Sequence, residues 1–196
     1  MASETRVLTA VAATAEGSNT QEWNVADSTV TVARLNTSDN LQTLCTAASF
    51  DNGVRTKVIY TSAYGYNIPT DATIDGIVVT FERACPTGGA TDDIVQLTKV
   101  AGTKVGNNLA TATAWPATDT TEDHGSSSNL SVWGVGFTPT EVNASGFGVA
   151  VASIATVNNT DIQIDLIQIT VYWTPAGGAA APALPPSGRA LVGVGF

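Results

Sequence analysis

From Tyr66 to Trp173 the chain is a succession of short apolar-alternating runs broken by turn signals about every ten residues, and no segment carries a helical period of useful length. That pattern admits a β-sandwich or a β-barrel and little else. The clearest run is 74–83, where Ile77, Val79 and Phe81 fall on one face and Val78, Thr80 and Glu82 on the other. Ile68-Pro69 leads into it, and a residue before proline avoids the helical region, so the approach is extended.

The same logic gives an element map. Residues 1–17 read as an N-terminal arm or an edge strand, because Val7 to Val11 alternates and Gly17-Ser18-Asn19-Thr20 breaks the run. Strands are expected over 23–35, 54–61, 74–83, 94–100, 109–115, 130–137, 147–154 and 162–173, with 41–48 ambiguous between strand and helical turn. Asp51-Asn52-Gly53 is a turn, 86–92 a Gly-rich loop, and 117–129, polar, acidic and Ser-rich, the longest loop. Thr138-Pro139-Thr140-Glu141 marks the start of a single helical turn. In the last strand Ile162, Ile164 and Leu166 are even, whereas Ile167, Ile169, Val171 and Trp173 are odd. A β-bulge at Leu166-Ile167 would keep both halves on one core; burial on both faces is the alternative.

After Pro175 the composition changes. Residues 176–186 are Ala, Gly and Pro with one Leu and read as a linker, followed by an apolar peptide over 187–196. That peptide would dock on a partner through Arg189, Leu191, Val192, Val194 and Phe196, fold back on its own domain, or stay disordered. The division is therefore an arm (1–17), a sandwich (18–175), and a linker with apolar peptide (176–196).

Composition narrows the function classes. With a net charge of −9 and eight scattered basic residues, the chain has no Lys/Arg cluster. Nucleic-acid backbones and anionic membranes are thus not expected partners, since both are bound by neutralising phosphates. No stretch approaches the ~20 apolar residues of a membrane helix, and no signal peptide is apparent, which points to synthesis in a cytoplasm. Charged residues are 13% of the chain. Such a surface suits burial against other subunits, and equally a β-protein with Thr-rich exposed strands. Cys45 and Cys85 are expected as free, buried thiols, a disulfide being the other option, and two cysteines with one histidine make no zinc site.

Candidates for chemistry are few. His124 lies between Asp123 and Ser126 in the polar segment; a solvated loop histidine is expected there, because neighbours in a loop do not hold triad geometry. Asp92-Asp93 and Asp119, Glu122 and Asp123 are either calcium ligands or solvated loop tips; Asp-x-Asp-x-Asp-Gly spacing is absent. Gly102 to Gly106 lacks phosphate-loop spacing. Trp23, Trp115, Trp133 and Trp173 are core fillers or, for Trp115 and Trp133, an exposed stacking platform for a surface glycan. No catalytic residue, cofactor site or metal site is assigned.

A set of phrases runs in order through 23–174: Trp23; Ser38-Asp39-Asn40; Ile68-Pro69-x-x-Ala72-x-Ile74-x-Gly76-Ile77-x-Val79-x-Phe81-Glu82-Arg83; Val95-x-Leu97-x-Lys99; Gly106-x-Asn108-x-Ala110; Trp115-Pro116; Trp133-Gly134; Thr138-Pro139; Val142-Asn143-Ala144-Ser145-x-Phe147-Gly148-Val149; and Ile167-x-Ile169-Thr170-Val171-Tyr172. Taken together they resemble a jelly-roll domain of tailed-bacteriophage and prophage virion proteins. The chain departs from that pattern between Thr120 and Ser131 and beyond Thr174. The resemblance implies an antiparallel jelly-roll sandwich and a non-enzymatic structural role in the virion, as a capsid decoration (cement) protein or a short head or tail fibre. Its partners would be itself, as a homotrimer, and other virion proteins such as the major capsid, neck or tail proteins. A carbohydrate-binding module for host recognition is the alternative.

Overall fold

The computed structural model describes residues 1–23, 30–40, 42–45 and 50–177. It is an all-β sandwich. One sheet has the strand order β1 (Ala2–Val7), β12 (Ile162–Thr174), β7 (Thr73–Ala84), β10 (Thr120–Ser126), with β4 (Thr43–Cys45) also on β12. The other runs β2 (Ala10–Thr14), β6 (Val58–Ser62), β11 (Gly148–Ala155), then β5 (Arg55–Thr56) and β3 (Asn19–Gln21), with β8 (Ala90–Val100) on β11 and β9 (Thr103–Lys104) on β8. All these pairings are antiparallel except β3 with β5.

The period-two pattern explains the core. Ile77, Val79 and Phe81 of β7, Ile167, Ile169 and Val171 of β12, Val95 and Leu97 of β8, and Val149 and Val151 of β11 are all fully buried in one cluster between the sheets. The first seventeen residues supply edge strands to both sheets, β1 beside β12 and β2 beside β6. The helical turn forms as α1 (Pro139–Asn143), with Thr138 and Glu141 making a reciprocal capping box and proline in the first turn.

Two bulges set which side chains enter the core. In β12, Ile164 lies opposite Arg83 and Leu166 opposite Glu82, so Asp165 is the extra residue. The expected bulge exists, but one residue earlier than Leu166-Ile167, and Leu166 turns outward to half-buried. In β8, Ser153 lies opposite Asp92 and Ala152 opposite Ile94, which makes Asp93 the extra residue. That second bulge turns Asp92 and Ala90 inward while Val95 and Leu97 keep their own inward places.

Several expectations need correction. The segment 117–129 is not one long loop: 120–126 is β10, whose partner β7 supplies the ladder that its polar sequence does not advertise. The segment 130–137 is not a strand. Leu130–Trp133 is a 3-10 turn, capped by the Asn129 side chain and closed by Gly134 at φ 66°. Residues 109–115 form no ladder strand and hold on through single backbone bonds, Leu109 N to Val95 O and Trp115 N to Ala90 O. The Gly-rich loop is shorter than 86–92, since β8 begins at Ala90. In 23–35, Val32–Arg34 is a 3-10 turn rather than strand, and 24–29 lie outside the described residues.

Gly148 shows how tightly the sheet is drawn together. A Cβ there would stand 1.8 Å from the Thr61 carbonyl oxygen, whereas one on Gly136 would meet nothing within 4 Å. Gly148→Ala should lower unfolding free energy by about 1–3 kcal/mol through forced backbone displacement. Gly136→Ala should change it little; urea denaturation of both variants checks the pair.

Candidate functional site

The most chemically loaded place in the fold is a polar cluster buried between the sheets. Arg83, at the inward end of β7, has a side chain 2% exposed and is ion-paired with the Asp92 carboxylate, whose side chain is 0% exposed. Glu122 of β10 adds a second, longer contact at 3.6 Å to Arg83. The guanidinium also lies 5.1 Å from the Phe81 ring centroid and 5.2 Å from that of Trp115, so its flat faces are covered by aromatic carbon.

Asp92 is correspondingly well supplied with donors. Besides Arg83 it accepts from Trp115 Nε1 at 2.8 Å, and from the Thr111 amide and hydroxyl at 3.1 Å each. A buried carboxylate needs such company, because an unpaired charge in the core costs several kcal/mol even after relaxation. The bulge at Asp93 aims Asp92 inward, while Asp93 itself turns to Arg55 and Asn19.

His124 sits beside this cluster, 4% exposed, with its ring stacked on Phe81 at a centroid separation of 5.1 Å and an interplanar angle of 7°. Its Nδ1 lies 3.1 Å from the Leu109 carbonyl oxygen, which can only accept, so the neutral ring carries its proton on Nδ1. Nε2 is then left bare, 3.6 Å from Asp92 Oδ2 and without a hydrogen-bond partner. Burial pushes the imidazole below its ordinary pKa of 6.5 and outweighs the opposing pull of Asp92. The expected solvated loop histidine is thus a buried, neutral core group on a strand. Asp123 and Ser126 form no relay with it: Asp123 bonds the Thr80 hydroxyl at 2.5 Å and Ser126 Oγ accepts from the amides of Ser128 and Asn129.

The acidic residues do not converge on a cation. Asp92 and Asp93 lie on β8 and pair with Arg83 and Arg55, while Asp119 accepts from Gln42 Nε2 at 3.0 Å. Among the described residues no group of three or more His, Cys, Asp or Glu side chains is placed to hold a metal ion. A second buried carboxylate, Asp165, follows from the β12 bulge: its Oδ2 accepts from the Asp39 and Asn40 amides at 3.0 and 2.9 Å. Burial raises its pKa above 3.8 despite those bonds, with Glu82 and Asp39 adding to the rise.

Trp23, Trp115 and Trp133 are core residues at 2%, 3% and 0% exposure, which removes the stacking platform proposed on Trp115 and Trp133. Each indole N–H is satisfied: Trp23 donates to the Lys57 carbonyl, Trp115 to Asp92 and Trp133 to the Ile77 carbonyl. Trp173 is half-buried against the core. Cys85 is a free, buried thiol whose pKa is raised by desolvation; the Cys45 side chain lies outside the described atoms. Arg189, Leu191, Val192, Val194 and Phe196 also lie outside the described residues.

Among the described residues the surface includes two shallow hollows. One, about 300 Å³, lies along β2 and β6 and the turn between β8 and β9; the other, about 450 Å³, lies along Leu130, Ser131, Gly134, Val135 and Gly136. Neither lining contains Asp, Glu, His, Cys, Lys or Arg. The titratable cluster and the hollows are therefore separate, and the cluster acts as an internal staple joining β7 and β10 of one sheet to β8 of the other. Sequence reasoning missed Arg83 and Thr111 as members; the one available signal was an arginine at an inward parity position of the clearest core strand. No protein-family model matches this chain, and no curated protein matches it.

Two expectations follow from the staple. Arg83→Met should destabilise the fold by about 3–5 kcal/mol, because Asp92 is left buried and unpaired. Adding Asp92→Asn should recover part of that loss; chemical denaturation of the single and double variants tests this ordering. The second concerns His124. Its folded pKa lies below the unfolded value of 6.5, so the unfolded chain binds the proton first and stability falls as pH drops below about 6.5, by at most about 1.4 kcal/mol per pH unit. His124→Gln should remove that component, seen as a smaller shift in urea midpoint between pH 7.5 and pH 5.

Proposed function

We propose that this chain is a non-enzymatic structural subunit of a tailed-phage particle, either a capsid decoration (cement) protein or a short head or tail fibre. The observation that carries the proposal is the strand order. Numbering β1, β6, β7, β8, β9, β10, β11 and β12 from one to eight, one sheet contains the path 1-8-3-6 and the other 2-7-4-5. We read that order as a jelly roll, with β2, β3, β4 and β5 as additions at its margins. It agrees with the phrases through 23–174 on which the virion resemblance rests.

Other features support the same reading. The polar groups that would suggest chemistry face each other inside the core. The surface is weakly charged for a chain of this size, with 13% charged residues, which favours extensive subunit contact. The net charge of −9 suits a position on the outside of a particle, away from packaged nucleic acid. A displayed subunit of this kind would assemble by closed symmetry, as a homotrimer, and meet the major capsid or the neck and tail proteins. Arg189, Leu191, Val192, Val194 and Phe196, beyond the Ala/Gly/Pro linker, would hold the subunit in the assembly.

Cryo-electron microscopy of particles from the phage or induced prophage that encodes the chain tests this directly. Density on the capsid lattice assigns a decoration protein, and density at the neck or tail a fibre or adaptor. Absence from the particle would overturn the structural role. Deleting 187–196 should abolish incorporation while leaving the melting transition of the sandwich unchanged; normal incorporation of the truncated chain would remove the tail's part in assembly.

A further inference from the structure

The sheet edges of this sandwich are not alike. β1 carries Glu4 and Arg6, which pair with each other, and β10 carries Glu122 and Asp123. Charges of this sort blunt an edge against further pairing. β2, at one end of the other sheet, is Ala10-Val11-Ala12-Ala13-Thr14, without a charge or a proline; β3 at the opposite end and β4 are also uncharged but only three residues long, too short to template much pairing. Among the described residues it pairs only with β6. Val11 and Ala13 pack on the core, and Ala10, Val11, Ala12 and Thr14 line the neighbouring hollow.

Tyr60, Ser62, Ala101 and Gly102 complete the 300 Å³ hollow. Lys104 of β9 reaches back over the Tyr60 ring, 5.9 Å from its centroid, to an ion pair with Glu16, and Glu16 also accepts from the Tyr60 hydroxyl. The molecule thus presents an uncharged strand edge beside a preformed apolar groove, the arrangement used in recognition by strand addition: main-chain bonds supply affinity and alternate side chains fill pockets.

The chain also carries a segment of matching chemistry. In 190–196, Val192, Val194 and Phe196 alternate with Leu191, Gly193 and Gly195. An extended peptide of this sequence has one β-branched and aromatic face and one mostly bare face. We propose that the segment 190–196 of a second copy of this chain adds as a strand to the free edge of β2, with alternate side chains over the groove. This rests on the assembly reading above and names its interface.

The second copy, rather than the same chain, is favoured by where the linker starts and how long it is. Thr174, the last residue of β12, lies opposite Thr73, and Trp173 lies opposite Ala2, so the chain leaves the sandwich at the start of β1. β2 begins eight residues further along, in the other sheet. To reach it, the same chain would have to double back against the direction of β12 and cross to the other sheet. The linker 176–189 contains Pro182, Pro185 and Pro186 and spans ~40 Å when extended at ~3.1 Å per residue, enough to bridge to a neighbour without turning back. A tail-to-edge contact is heterologous and closes a ring when the rotation between copies closes, at three copies for the trimer proposed above.

The test uses the full chain. Light scattering should give a multiple of the 20.0 kDa chain mass for the wild type and a single chain mass for both the truncation after Pro186 and Ala12→Lys, which places a charge on the exposed floor of the groove. Circular dichroism should show the same folded β spectrum for all three, with the wild-type melting transition at or above those of the variants because self-association stabilises the folded chain. Double variants Ala12→Cys/Val192→Cys and Ala12→Cys/Val194→Cys, oxidised and run without reductant, should give covalent dimers and trimers that neither single variant gives. Wild-type chain that is monomeric, oligomers that survive both changes, or a disulfide closed within one chain would each overturn the inference. Failure here with the chain still present on the particle leaves the virion role standing. Success here with the chain absent from the particle removes the virion role and keeps the interface.

Discussion

The Arg83–Asp92 ion pair is the constraint around which the rest of the sandwich is arranged. A guanidinium and a carboxylate with side chains 2% and 0% exposed are tolerable only if nearly every donor and lone pair is answered. The answers come from separate parts of the chain: Glu122 from β10, Thr111 and Trp115 from the extended segment before it, Phe81 from the same strand as Arg83. Because the pair joins strands of opposite sheets, it sets how those sheets lie on each other at that end of the core. An apolar core of the same volume would be at least as stable; a buried pair instead disfavours any register in which the two charges do not meet.

The bulges make that pairing possible. A regular strand through 90–97 would aim Asp93 at the core with Val95 and Leu97, and would send Asp92 outward. With Asp93 as the extra residue, Asp92 turns in and Asp93 is left to Arg55 and Asn19 at the margin. The bulge at Asp165 does the converse for β12, keeping Ile162 and Ile164 on the same core as Ile167, Ile169 and Val171. Here the extra residue is itself the buried aspartate, held by the Asp39 and Asn40 amides. In both strands a local break in pairing brings a carboxylate out of water, and the neighbouring loops supply its donors.

For function, these features place the titratable cluster of Arg83, Asp92 and His124 inside the core. The side chains that might suggest catalysis, His124 and its acidic neighbours, are engaged with Phe81, Leu109, Thr80 and Arg83. The hollows at the surface are lined by small apolar and hydroxyl residues. A sandwich from a chain with 13% charged residues and a five-residue uncharged edge at β2 is suited to being packed against, which is why assembly is the role proposed for it.

Where alternation is strong, the sequence was enough. The parity of Ile77, Val79 and Phe81, the even-to-odd shift before Ile167, the capping box at Thr138 and the turn at Gly53 follow from side-chain period and local backbone preference, which act over a few residues. The sandwich class, the core tryptophans and the turn-by-turn spacing were legible for that reason. The strand at 120–126 was not, because Thr-Thr-Glu-Asp-His-Gly-Ser has no apolar face; its conformation comes from seven ladder partners on β7, Arg83 back to Ile77. Nor was the 3-10 turn at 130–133, where Trp133 is pulled inward to the Ile77 carbonyl past a Gly125 that leaves it room. The meeting of Arg83, Asp92 and His124 depends on residues up to 41 positions apart (124 − 83) being brought into one desolvated space. Local propensity carries no record of such contacts, so the faces of the strands belong to the sequence and the buried charge cluster to the tertiary structure alone.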